Sequence, residues 1–129
     1  MYERAWGRIV NVSSVAGRVG VKYAGAYVAS KHGLVGLTRT LALEGARRGV
    51  TANAICPSWV ETQMMDESVQ ATAEATGRTP EEVRRLMLSA NPQGRASTPD
   101  EVADVAVLLV RNPAINGQCF HVDGGEVQA

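Results

Sequence analysis

At 129 residues the chain is long enough for one compact domain and no more. Apolar residues make up 45% and aromatics only 5%, so a core must be built from Val, Leu, Ala and Ile. Thirteen basic side chains balance thirteen acidic ones, which gives no electrostatic case for nucleic acid or an anionic membrane, and no apolar run approaches a membrane span.

In chain order, "GRIVNVSS" (7–14) is rich in Ile and Val, ends in small polar residues, and reads as a buried strand. "GRVGVKYAG" is a glycine-studded loop. Residues 26 to about 48 form a helix, with Leu34, Leu37 and Leu41 at helical spacing and Arg47, Arg48 and Gly49 at its carboxyl end. "VTANAICPS" (50–58) is a second buried strand closed by Pro57. The following stretch has helical composition but is broken by Gly77 and by Pro92 to Gly94. Within it Thr79, Pro80 and Glu82 spell a capping box with proline at the first helical position, and Thr98, Pro99 and Glu101 repeat the device. The helix after Thr98 carries Val102, Val105, Ala106 and Leu109 on one face. "GQCFHVDGG" (117–125) reads as a strand entering a paired-glycine turn. Strands too apolar to face water, separated by helices, predict an α/β parallel sheet covered on both sides.

Cys56, Cys119, His32 and His121 fall in no metal-ligand spacing, so no metal is expected. Free thiols belong to a reducing compartment, and no charged-then-apolar leader opens the sequence, so a cytoplasmic location is the expectation.

One helical turn separates Tyr27 from Lys31. Such a pair is either an ordinary surface contact or an acid–base device. A free phenol is too weak an acid to trade protons at neutral pH, and a neighbouring ammonium favours its ionised form. Ser14 closes the first strand, Pro57 to Thr62 leave the second, and "VDGG" leaves the last. In an open parallel sheet, ligands bind at the carboxyl ends of strands. All these polar groups therefore emerge on one rim, suited to carbonyl reduction or its reverse.

"NVSS" followed by "YVASK", "GLTRTLALEGARRGVTANAICPS" and "INGQCFHVDGG" resembles the short-chain dehydrogenase/reductase family, from about Gly7 to Gly125. The resemblance implies a three-layer αβα Rossmann-like fold, with residues 1–129 as its carboxyl-terminal half and a substrate lid at about 61–92. It implies NAD or NADP as cofactor and a small hydroxy/keto substrate. Ser14 would orient the substrate, Tyr27 would be the acid/base, and Lys31 would anchor the cofactor. Tyr27 and Lys31, with Pro57, Ser58, Val60 and Thr62, would contact the nicotinamide end. The text is most like 3-oxoacyl-reductase and 3-hydroxybutyrate-dehydrogenase-like members, and a full-length enzyme of this kind is expected to be a homo-oligomer, dimer or tetramer. Trp59, Met64 and Met65 make the lid apolar near the site or else belong to the core.

Two departures stand out. Ser58 follows the proline where the family usually has glycine. The family's TGxxxGxG phosphate loop and NNAG segment do not occur in these residues, so the stretch is expected to be part of a longer gene product and inactive alone, with its first strand open to self-association. The alternative reading is a non-catalytic remnant acting as an interaction module. Ala26, Ala29, Ser30, Gly33 and Gly36 give the long helix small residues for close approach of another helix, or for packing on its own sheet.

Overall fold

The computed structural model describes residues 1–128. Three parallel strands, β1 (Gly7–Val12), β2 (Val50–Pro57) and β3 (Cys119–Val122), lie in the order β1-β2-β3. Helix α1 (Gly25–Gly45) connects β1 to β2. Helices α2 (Gln63–Thr76), α3 (Pro80–Leu88) and α4 (Pro99–Arg111) connect β2 to β3. Each link between parallel neighbours is thus a helical crossover, as a parallel pair requires.

The central strand β2 is buried from end to end. Its residues alternate between two helical layers. Ala54 and Cys56 pack with Val35 of α1 and with Cys119 of β3. On the opposite face Arg8 and Val10 of β1 and Ala106, Val107 and Val110 of α4 border an open cleft, across which Arg8 Nε donates to the Val110 carbonyl at 3.1 Å. With neither side of β2 open to water, its near-continuous apolar text is explained.

Register ties β1 to β2 from Gly7↔Val50 to Val12↔Ile55, and β2 to β3 from Ala54↔Cys119 to Pro57↔Val122. Polar side chains lock the layers as well. The Asn11 amide donates to Thr38 Oγ1 at 2.9 Å, and that hydroxyl donates to the Leu34 carbonyl at 2.7 Å. Thr38 is wholly buried, so these partners are needed to offset its desolvation. The carboxyl ends of all three strands share one rim.

Both capping boxes form. Thr79 and Glu82 exchange side-chain-to-backbone bonds at the start of α3, and Thr98 and Glu101 do so at the start of α4, each with proline in the first turn. Gly77 ends α2 with φ of +69°, a left-handed C-cap that favours glycine. Helices α2 and α3 pack on each other through Val69, Ala73, Val83 and Met87.

Some boundaries and faces differ from expectation. Strand β1 ends at Val12, two residues before Ser14, because the Ser14 hydroxyl turns back to accept from the Ala16 N–H and starts a 3-10 turn over Val15–Gly17. Strand β3 is confined to Cys119–Val122, since Gly117 with φ +74° and Gly124 with φ +62° turn the chain at either side. Leu37 of α1 is half-exposed, and the sheet-facing stripe is Val35, Thr38, Ala42 and Gly45. Ala26, Ala29, Ser30, Gly33 and Gly36 all face outward. Met65 is core, whereas Met64 is 75% exposed.

Candidate active site

Three chain segments leave the sheet at the rim. The first runs from β1 through Ser13 and Ser14 to α1. The Ser13 N–H continues the ladder to the Ile55 carbonyl at 2.7 Å, and its hydroxyl donates to the Lys31 carbonyl at 3.1 Å. Gly17 sits against the same turn of α1. A Cβ at Gly17 would lie 2.6 Å from Ser13 Oγ and 2.8 Å from the Lys31 carbonyl oxygen, so only glycine lets the loop and helix approach this closely.

That approach fixes Lys31. Its ammonium donates to the Val12 carbonyl at 3.1 Å and lies 5.5 Å from the centre of the Tyr27 ring. One of its three protons is thereby used, and two are left for other acceptors. Tyr27 occupies the first turn of α1 and is 50% exposed, so its phenol faces solvent at the rim. Ser14 lies in the adjoining loop, half-buried, with its hydroxyl accepting from Ala16 N–H at 3.1 Å and its own proton free to donate. Sequence reasoning missed Ser13, Val12 and Gly17. A seryl pair closing a strand signals a turn, but not which of the two hydroxyls holds the helix.

The second segment, Ser58 to Thr62, leaves β2. Glu61 N–H donates to the Ser97 carbonyl and Ser97 N–H to the Trp59 carbonyl, both at 2.9 Å, in a parallel bridge centred on Val60 and Ser97. In such a bridge the middle residue's own N–H and C=O point to the opposite side. Val60 therefore presents one amide donor and one acceptor away from Ser97; its carbonyl accepts from Thr62 Oγ1 at 3.2 Å. Thr62 begins α2 without using its side chain as a cap.

The third segment follows β3. Asp123, buried, gathers the N–H groups of Gly125 at 3.0 Å and Val127 at 2.9 Å, which folds the residues after Val122 into a tight turn. Glu126 on that turn accepts from the Ser58 hydroxyl.

Near the rim, the Cys56 thiol is pushed up to about 11, chiefly by burial, with the neighbouring Cys119 thiol adding to it. It stays protonated at neutral pH and is no nucleophile. Among the described residues no three His, Cys, Asp or Glu side chains gather as a metal site, and no helix is long and apolar enough to cross a membrane.

A serine after one strand, a tyrosine–lysine pair on the next helix and an open backbone amide after the neighbouring strand are what a Rossmann-like short-chain oxidoreductase places at this rim. Residues 1–126 match the family described as enoyl-(acyl carrier protein) reductase. The chain is 45% identical over 130 aligned residues to D-beta-hydroxybutyrate dehydrogenase of Cupriavidus necator, covering 98% of this chain and 50% of that one. It superimposes on an actinorhodin polyketide ketoreductase variant solved with NADPH, with a TM-score of 0.91, 41% identity and coverage of 98% and 49%. It also superimposes on an NAD+-bound xylitol dehydrogenase, with a TM-score of 0.87, 29% identity and coverage of 97% and 51%. The chain belongs to the short-chain dehydrogenase/reductase family. It spans about half the length of the relatives it matches.

Proposed function

We propose that this chain is the catalytic and substrate-facing part, with a lid at about 61–92, of an NAD(H)- or NADP(H)-dependent oxidoreductase. It would interconvert a secondary alcohol and a ketone on a small hydroxy/keto substrate of the 3-hydroxyacyl/3-oxoacyl kind. The observation that carries the reading is the Lys31 ammonium, held on the Val12 carbonyl beside the Tyr27 ring. The names of the relatives, a hydroxybutyrate dehydrogenase and a ketoreductase, support the substrate class.

In this reading the nicotinamide, when bound, supplies or accepts the hydride. Tyr27 gives a proton to the ketone oxygen, or takes one from the alcohol. Ser14 donates its free hydroxyl proton to the same oxygen and orients it. Lys31 turns its two remaining protons toward the ribose hydroxyls and its charge toward the phenol. The backbone amide of Val60 matches a carboxamide, offering one donor and one acceptor side by side. Pro57, Ser58 and Thr62 shape the loop that presents it. Half-buried Trp59 and exposed Met64 give the lid an apolar lining for an aliphatic substrate.

The proposal includes a homo-oligomer, because the small-residue face of α1 is outward and open, with no atom within 4 Å of a Cβ built at Gly33 or Gly36. It includes a cytoplasmic setting, supported by the two free cysteines. Residues 1–129 taken alone are proposed to be inactive. The same open face, flanked by exposed Leu37 and Leu43, favours a second reading, a non-catalytic interaction module.

The test is to join these residues to the dinucleotide-binding half of a relative and change Tyr27→Phe. Loss of the proton donor should cost about 10²–10⁴ in turnover. Unchanged turnover removes Tyr27 from the chemistry, and a joined protein that associates but has no activity at all selects the interaction module.

A further inference from the structure

The turn after β3 touches both loops that border the rim. The Val122 carbonyl accepts from Ser58 N–H at 3.3 Å and from Ser97 Oγ at 3.2 Å, so one oxygen joins the loop after β2 to the strand-like segment before α4. Next, buried Asp123 folds residues 123–127 back on themselves through the Gly125 and Val127 amides. Gly124 then lies against the end of the lid. A Cβ there would come within 2.8 Å of Asn91 Cγ, and Asn91 itself ties Gln93 N–H and the Arg95 carbonyl at 2.8 and 2.9 Å. Finally Glu126, carried by the same turn, receives the Ser58 hydroxyl. Ser58 is the first residue of the loop that presents Val60.

We propose that Glu126 is a positioning residue that acts through Ser58: its carboxylate latches the carboxyl-terminal turn to the Ser58–Thr62 loop, so that this loop and the Asn91–Ala96 segment that leaves the lid are held as one unit. A hydroxyl donating to a carboxylate is a charge-assisted bond, stronger than a neutral one. It joins groups 68 residues apart, which neither local turn could order alone. The consequence for cofactor placement rests on the oxidoreductase reading, but the latch itself is testable with no cofactor.

Amide hydrogen exchange would be followed residue by residue in the chain and in Glu126→Ala, Glu126→Gln, Ser58→Ala and the Ser58→Ala/Glu126→Ala pair. Loss of one charge-assisted bond should speed exchange at Glu61 and Ser97 on the order of tenfold in either alanine variant. Ile9 and Asn11 in β1, whose N–H groups face β2, should keep their protection. The glutamine variant, which retains an acceptor for Ser58, should restore most of the loss, and the pair should lose no more than either single change. Unchanged exchange at Glu61 and Ser97, additive losses in the pair, or equal loss across β1 would overturn the latch. Because Tyr27 is intact in every variant, none of these outcomes bears on the proton donor, and the Tyr27→Phe result bears in no way on Glu126.

Discussion

The ammonium of Lys31 donates to the carbonyl oxygen of Val12 at 3.1 Å, tying the first turns of α1 to the last residue of β1. The side chain is thereby aimed before any ligand arrives. Replacing Lys31 with alanine, in these residues joined to a dinucleotide-binding half, should weaken dinucleotide affinity and lower turnover together. A lost charged hydrogen bond is worth about 1.5–3 kcal/mol, which corresponds to roughly ten- to hundredfold in dissociation constant. Fluorescence titration measures it. An unchanged constant with a lower melting temperature would make Lys31 a structural tie only.

Gly17→Ala should do harm from the other side of the same contact. Its Cβ would press on the Lys31 carbonyl oxygen at 2.8 Å, a backbone atom that cannot swing aside as a flexible side chain would. Overpacking of this kind costs about 1–3 kcal/mol. Thermal or urea denaturation would show it, and Gly20→Ala is the control, since nothing lies within 4 Å of a Cβ there.

Acid should loosen the start of α4. Arg95 grips Glu101 through two bonds of 2.8 and 2.7 Å, and with the Thr98 N–H this holds the Glu101 carboxyl down at about 2. A carboxyl whose folded value is depressed contributes stability above its unfolded value, here 4.5, and that contribution is lost as pH falls toward about 2. The pair is exposed, so solvent screening keeps the effect small. The melting temperature of the parent chain should fall further between pH 4.5 and 2 than that of Glu101→Gln. Parallel curves would remove the pair from acid stability. Thr98→Ala should cost about 0.5–2 kcal/mol at any pH through the lost cap.

These local devices explain why so much was readable. Thr79 and Thr98 each need partners only three residues away, and the two boxes appear in the text as they do in the fold. Tyr27 and Lys31 meet by helical repeat alone. What the text hid is set by distant partners. Met64 and Met65 are chemically identical, and only the packing of α2 decides which is buried. Leu37 has the spacing of a core residue, yet α1 turns its smaller Thr38 and Ala42 inward because the sheet lies close. Ser58 looked like a mere departure from glycine until Glu126 appeared beside it.

Residues 1–129 by themselves should bind NAD(H) or NADP(H) weakly. The pyrophosphate of a dinucleotide is held in this kind of fold by backbone N–H groups of a glycine-rich turn that opens a helix. The loop between β1 and α1 contains Gly17 and Gly20, and α1 opens on Gly25, but none of them has positive φ, and Gly17 is packed against Ser13 and Lys31. Helix α1 itself starts from Ala24, with no side-chain cap. In the proposed site the groups on the rim, Lys31 and the Ser58–Thr62 loop, would address only the nicotinamide and its ribose. Binding must still overcome an association cost of about 4–15 kcal/mol. With half the contacts, affinity should be no better than about millimolar, near −4 kcal/mol. Calorimetric titration of the 129-residue chain measures this directly. A micromolar dissociation constant for a folded monomer would mean that the rim alone grips the dinucleotide, and that the pyrophosphate cradle is dispensable for binding.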